Sequence, residues 1–146
     1  MAKTPVSLNI PEFSQKEREV AKFSMTFTQM TDQEGQVTAL PQGGKIYLKM
    51  KVLNSGNTDL VRWMTDKMKA VNGKIVFYDT TNGVLMKSID FTDAYCVGYT
   101  ETWEDATKPG EDLSHIEEIT ISCREIKISG MELFKNTWEL YHSMFE

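Results

Sequence analysis

At 146 residues, 40% apolar and 25% charged, the chain fits a single domain, residues 1–146, whose core needs no disulfide or metal to hold it. A formal charge of −5 with no block of Lys and Arg argues against a nucleic-acid partner held through phosphates. No apolar run approaches the roughly 20 residues of a membrane helix, and Met1–Pro5 lacks the apolar segment of a secretory signal, so synthesis in the cytoplasm without membrane insertion is expected.

Val6, Leu8 and Ile10 alternate with Ser7 and Asn9, the pattern of a short half-buried strand that Pro11 ends. Glu12–Glu19 reads as a polar connector. Ala21, Phe23, Met25 and Phe27 then fall on one face, with Lys22, Ser24, Thr26 and Thr28 on the other, a strand with one dry and one wet side. From Thr31 to Gly44 the alternation stops in favour of turn chemistry around Val37–Leu40. So long a connection between neighbouring strands is functional or mobile, and without catalytic residue types it points to contact with another protein surface.

Ile46, Leu48, Met50 and Val52 alternate with Lys45, Tyr47, Lys49 and Lys51. The lysines read as a solvated face that guards the strand against stray pairing, or alternatively as a surface for acidic partners or a pore lining. A helix follows, capped by Asn57 or Thr58 with Asp59 in its first turn. Its apolar stripe is Leu60, Val61, Met64, Met68 and Val71, and Asn72-Gly73 stops it. Trp63, beside the stripe, is expected to be partly exposed and to serve as a subunit contact.

Lys74–Tyr78, a turn through Asp79–Gly83, and Val84–Phe91 form a hairpin marked by Asn82-Gly83, and Ala94–Tyr99 is a further strand. Glu101–Asp112 reads as a solvated loop. In the last strand the buried phase moves from Ile119, Ile121 and Cys123 to Ile126 and Ile128, as at a β-bulge or a barrel corner. The aromatic tail, about residues 131–146 with Leu133, Phe134 and Trp138, is expected to dock on a surface.

No reaction is visible. The chain has no phosphate loop, nucleophile elbow, dinucleotide fingerprint or close ligand pair, so no catalytic, cofactor or metal residue is assigned and no enzyme is expected. Cys96 and Cys123 read as reduced core thiols. Short strands, one helix and regular turns point to a mainly β fold, a closed or nearly closed barrel with a long interaction loop.

Several runs resemble a known family in their order: Arg18–Gln29 with the loop after it, Gly73-Lys74-Ile75-Val76-Phe77-Tyr78, Phe91-Thr92-Asp93-Ala94-Tyr95-Cys96-Val97, and Glu118–Ile126. Together they look like Hcp (TssD), the tube protein of type VI secretion systems, in the form found in Bacteroidetes. The likeness runs from about Ser7 to Trp138, with departures at Pro11–Phe13, at Lys108–Asp112 and past Trp138. It implies a two-sheet barrel or sandwich with one helix outside it, and six copies closed into rings that stack as a hollow tube. It also implies sheath, spike and baseplate partners, effector cargo in the lumen, and export by the machine itself. Val37, Thr38, Ala39, Leu40, Pro41 and Gln42 are then the expected ring-stacking loop, and Trp138 joins Trp63 as an expected subunit contact. The alternatives are a tube subunit of another contractile particle and a barrel for a small apolar ligand.

Overall fold

A computed structural model describes residues 5–29, 31–37, 42–53, 55–66, 68–104 and 115–135, the side chains of 42 and 131–134 excepted. The strands are β1 (Val6–Asn9), β2 (Glu17–Glu19), β3 (Lys22–Thr28), β4 (Gln42–Lys51), β5 (Val71–Tyr78), β6 (Leu85–Trp103), β7 (His115–Ile128) and β8 (Met131–Lys135), and the helix is α1 (Asp59–Thr65). All strand pairs are antiparallel and form one sheet in the order β2-β1-β5-β6-β7-β4-β3, with β8 also on β7. The two ends of that order, β2 and β3, are separated in the chain only by Val20 and Ala21. Val20 N–H donates to Val6 O at 3.0 Å and Ala21 N–H donates to Lys49 O at 2.7 Å, so one segment steps from the β1 side to the β4 side. The sheet thereby curls onto itself. The mainly β barrel with one helix is as expected, and its two-sheet arrangement is met in part, the wall being one hydrogen-bonded sheet that folds over on itself.

Alternation decides which side chains fill the interior. Leu8, Ile46, Leu48, Met50, Ile75, Ile89, Phe91, Ile119, Ile121 and Ile126 are buried in one cluster. Burying each large apolar side chain is worth about 1.5–3 kcal/mol, which makes this interior the main source of stability. Phe23 and Phe77 pack edge to face at 5.2 Å on its margin. Phe27, expected beside them, is instead 38% exposed near the end of β3.

The central hairpin and the long last strand form as expected, but β6 runs unbroken from Leu85 to Trp103, into the stretch read as a solvated loop. Its buried positions change phase between Phe91 and Ala94, as those of β7 do between Cys123 and Ile126. The change falls at Asp93, whose φ is +50°, while Thr92↔Glu125 and Ala94↔Cys123 stay in step. A barrel corner is therefore responsible for the slip, and the β6–β7 register shift lies elsewhere, between Cys96 and Gly98. A polar row braces the corner across three strands. Asp93 N–H donates to Asn72 Oδ1 at 2.9 Å, and Arg124 Nε donates to Asp93 Oδ2 at 2.8 Å.

The helix is shorter than its apolar stripe. It ends at Thr65, because Asp66 turns extended and its Oδ1 accepts from Met68 N–H at 3.0 Å. Met68 is exposed, Val71 opens β5, and Asn72-Gly73 lies inside that strand rather than at a helix stop. Gly73 is there because β1 and β6 leave no room. A Cβ on it would sit 2.7 Å from Asn9 O and 2.7 Å from Phe91 Cζ. Gly73→Ala is expected to cost about 1–3 kcal/mol of folding stability, measured by denaturant unfolding; a neutral result would mean that the backbones yield.

At the helix start Thr58 makes no side-chain cap, and Asn57 Oδ1 accepts from Asp59 N–H at 3.0 Å in its place. The Asp59 carboxylate accepts from Ser14 Oγ, Gln15 N–H and Asn57 Nδ2. Burial pushes this carboxyl up, but those hydrogen bonds and the charge of Arg62 outweigh it and hold it below the usual range. A lowered folded value contributes stability above the ordinary carboxylate range and loses it as pH falls through that lower value. Asp59→Ala is expected to cost about 1–2 kcal/mol at neutral pH. The gap to wild type should narrow below about pH 4 in a pH series of urea midpoints, and a pH-independent gap would exclude the charge as its cause.

Candidate interaction surfaces

The first half of the long loop is a small closed turn. Thr31 and Val37 form an isolated bridge, Asp32 N–H donates to Gln36 O, and Asp32 Oδ1 accepts from the N–H groups of Glu34 and Gln36, at 2.9 Å in each case. Gly35 takes the left-handed φ of +85° this requires. Val37 leaves the turn 53% exposed. Thr38, Ala39, Leu40 and Pro41 lie outside the described residues, as does Trp138, and Gln42 begins β4.

Trp63 is not a partly exposed contact residue. It is 1% exposed, its ring meets Phe13 edge to face at 5.6 Å, and its Nε1–H lies 3.1 Å from Lys69 O and 3.2 Å from Ala94 O. The helix is rotated relative to the stripe read from the sequence, so Leu60 and Trp63, one turn apart, are its buried pair. An indole so enclosed has nothing left to offer a neighbour. Besides Phe27, Val37 and Met68, the exposed large apolar side chains among the described residues are Val84, Leu85 and Met86 where β6 begins, Val97 at its register shift, and Trp103, 66% exposed, at its far end. Trp103 was missed because its segment, rich in Thr and Glu, reads as loop.

A polar network crosses the closing seam. Arg18, 5% exposed on the three-residue β2, donates through Nη2 to Lys51 O at 2.6 Å and to Glu117 Oε1 at 3.0 Å, Glu117 being 3% exposed. The other oxygen of Glu117 accepts from the Tyr99 hydroxyl at 2.7 Å; that hydroxyl also lies 2.7 Å from Glu101 Oε1, and Glu101 Oε2 is 3.0 Å from His115 Nε2. Burial and then the two carboxylates push the Tyr99 phenol far up, so it stays protonated. The hydrogen bonds from Tyr99 and His115 hold the Glu101 carboxyl below its usual range. Arg18 ties β2 to β4 and β7 across the seam, and Tyr99, Glu101 and His115 extend the network along the β6–β7 pair, as a structural brace does.

Cys96 and Cys123 are buried thiols. Burial pushes them up to about 11 and about 12, so neither is a thiolate nucleophile at neutral pH. Among the described residues no group of three or more His, Cys, Asp and Glu could hold a metal ion, and no helix is long and apolar enough to cross a membrane.

The barrel braces its closing seam with polar groups and shows apolar side chains at both ends of its longest strand, and it shares its architecture with Hcp1 and with a chain of a contractile injection system's sheath-tube complex. The chain belongs to the hemolysin coregulated protein Hcp (TssD) family, whose model matches residues 3–139, and it is a type VI secretion tube subunit. It is similar to the solved structure of Hcp1 from Flavobacterium johnsoniae at 28% identity and a TM-score of 0.77, covering 90% of this chain and 98% of that one. Hcp1 from Salmonella typhimurium shares the fold at 13% identity and a TM-score of 0.67, covering 84% of this chain and 83% of that one. The sheath-tube complex of an extracellular contractile injection system, PVC, contains a chain of the same fold at 17% identity and a TM-score of 0.56, covering 86% of this chain and 88% of that one. A comparison with curated proteins found no match.

Proposed function

We propose that six copies of this chain close into a ring and that rings stack into a hollow tube, which a contracting sheath drives outward behind a spike. The observation that carries this reading is the match to Hcp1 from Flavobacterium johnsoniae over nearly the whole of both chains. Ring closure requires a heterologous contact, one surface of a subunit meeting a different surface of the next, with the closing angle setting the copy number. The exposed side chains at the two ends of β6, Met86 and Trp103, supply apolar area for such a contact, aromatic anchors being common centres of binding energy.

Stacking falls to the loop that begins at the Thr31–Val37 turn and runs through Thr38, Ala39, Leu40 and Pro41 to Gln42, and Trp138 in the tail is a further contact. Effector proteins ride in the lumen, and baseplate components seat the tube before firing. Assembly takes place in the cytoplasm, and the machine itself exports the protein. The chemistry is then structural rather than enzymatic. A ligand-binding barrel has little support, since Ile46, Leu48, Ile75, Ile119 and Ile121 fill the interior.

Negative-stain microscopy and native mass spectrometry of the purified protein test the reading. Uniform annular particles of six copies are expected, and a strict monomer at high concentration would overturn it. Deleting residues 37–40 should leave the rings and shorten the tubes; unchanged tube length would remove the loop from stacking.

A further inference from the structure

The outer face of β3 and β4 carries four lysines. Lys22, Ser24 and Thr26 on β3 stand beside Lys49, Tyr47 and Lys45 on β4, and Lys51 continues the row. Two features set this face apart from an ordinary solvated surface. First, Lys22 is directly opposite Lys49, a like-charge pair that works against the sheet. Second, β4 is paired on both sides, with β3 and with β7, so its lysines have no open edge to protect. Edge protection, the reading its sequence suggested, does not explain them.

Among the described residues these lysines form no close ion pair on the same protomer: no carboxylate lies within 4.0 Å of the Nζ of Lys22, Lys45, Lys49 or Lys51. Glu118, the acid facing Lys49 across β7, accepts from the Tyr47 hydroxyl, and burial together with that carboxylate pushes the Tyr47 phenol up to about 12. The Lys22 ammonium sits over the Tyr47 ring at 5.9 Å, which fixes the patch's shape without neutralising it. The chain has 16 basic and 21 acidic side chains, so setting these four lysines aside leaves 12 basic against 21 acidic. Any other copy therefore offers a surplus of carboxylates to this face.

We infer that the β3–β4 lysine face is a docking surface for the acidic surface of a second copy of the same chain, and that this contact holds neighbouring subunits together. The inference rests on the self-assembling reading above and adds an electrostatic sign to it. A chain of net charge −5 repels its copies on average, so average repulsion alone makes added salt favour assembly. A contact between a basic patch and an acidic surface does the reverse, since exposed charges are screened within about 8 Å at physiological ionic strength and about 3 Å at 1 M.

The test compares two triple variants of equal net charge in the full chain. One is Lys22→Gln, Lys45→Gln, Lys51→Gln on the face. The other is Lys16→Gln, Lys74→Gln, Lys87→Gln, three exposed lysines elsewhere on the barrel. Subunit association is read by native mass spectrometry and sedimentation velocity from about 0.05 to 1 M salt, and folding by thermal unfolding of the dissociated protomer.

The expected result is that wild-type association weakens as salt rises. The face variant should lose about tenfold or more in association at low salt and keep its unfolding midpoint, and the control should change by less than about threefold. Carbodiimide coupling between isotopically distinct copies should also join these lysines to carboxylates of the other copy. Equal losses in the two variants, or association that strengthens with salt, would overturn the inference. So would intact assembly of the face variant accompanied by lost retention of an acidic protein, because the occupant would then be cargo. A wild-type protein that never associates defeats the tube reading itself, an outcome distinct from these.

Discussion

Glu117→Ala is expected to lower folding stability by about 3–5 kcal/mol, the largest effect of any single polar substitution in this barrel. The carboxylate is 3% exposed and faces Arg18, itself 5% exposed, so truncation leaves a buried guanidinium with only the Lys51 carbonyl and strips the Tyr99 hydroxyl of one acceptor. The cost arises from the stranded charge more than from the lost attraction. A second variant separates the two. Arg18→Met with Glu117→Leu removes both charges and is expected to return to within about 1 kcal/mol of wild type, because apolar replacement of a buried pair is often neutral or better. Urea unfolding of the two variants decides the matter. A Glu117→Ala loss under 1 kcal/mol, or a double variant as unstable as the single, would show that Arg18 reaches water and that the pair does not lock the seam.

Trp63→Ala is expected to cost about 3–5 kcal/mol through the cavity it leaves and the unsatisfied carbonyls at Lys69 and Ala94. The same truncation at Trp103, 66% exposed, should stay within about 0.5 kcal/mol in the isolated protomer and weaken association between copies. The two tryptophans thus make opposite predictions from one substitution. Stable protomers of Trp63→Ala that fail to form rings would return the contact role to Trp63, and undiminished rings of Trp103→Ala would remove it from Trp103.

The strands were legible wherever one face is dry. Ile46–Val52 and Ile119–Cys123 show the period of two that burial on one side imposes, whereas Ser7 is buried beside Leu8 and Ala21 and Phe27 are exposed, so β1 and β3 follow their sequence alternation only in part. The central hairpin was legible from Asn82-Gly83, where Gly83 takes a φ of +71°. The helix was misjudged in length because Met68 and Val71 continue its spacing by chance, whereas Asp66 ends it locally through its own side chain. Asn72-Gly73 has the composition of a helix stop, but at Gly73 the requirement is for room beside Asn9 and Phe91, which neighbouring residues in the chain do not reveal.

Contact residues were the least legible. An aromatic beside an apolar stripe reads the same whether the helix turns it in or out, and the rotation that buries Trp63 is set by Phe13 and Ala94 from distant segments. Arg18 sits between two glutamates in a polar run, and its partner is 99 positions away. The lysine row of β4 was visible as a face. Its lack of a close ion pair among the described residues and its place inside the sheet required coordinates.

The pairing of Arg18 with Glu117 also bears on how the chain is made. Ring closure of a wall through partners 99 residues apart carries a loop-entropy cost that local hairpins such as β5–β6 avoid, so the seam is expected to form last. During synthesis β1 must wait for β5, and β4 for β7, before their second edges are covered. The nascent polypeptide therefore passes through a stage with an open sheet margin, when stray strand addition by another chain is the chief hazard.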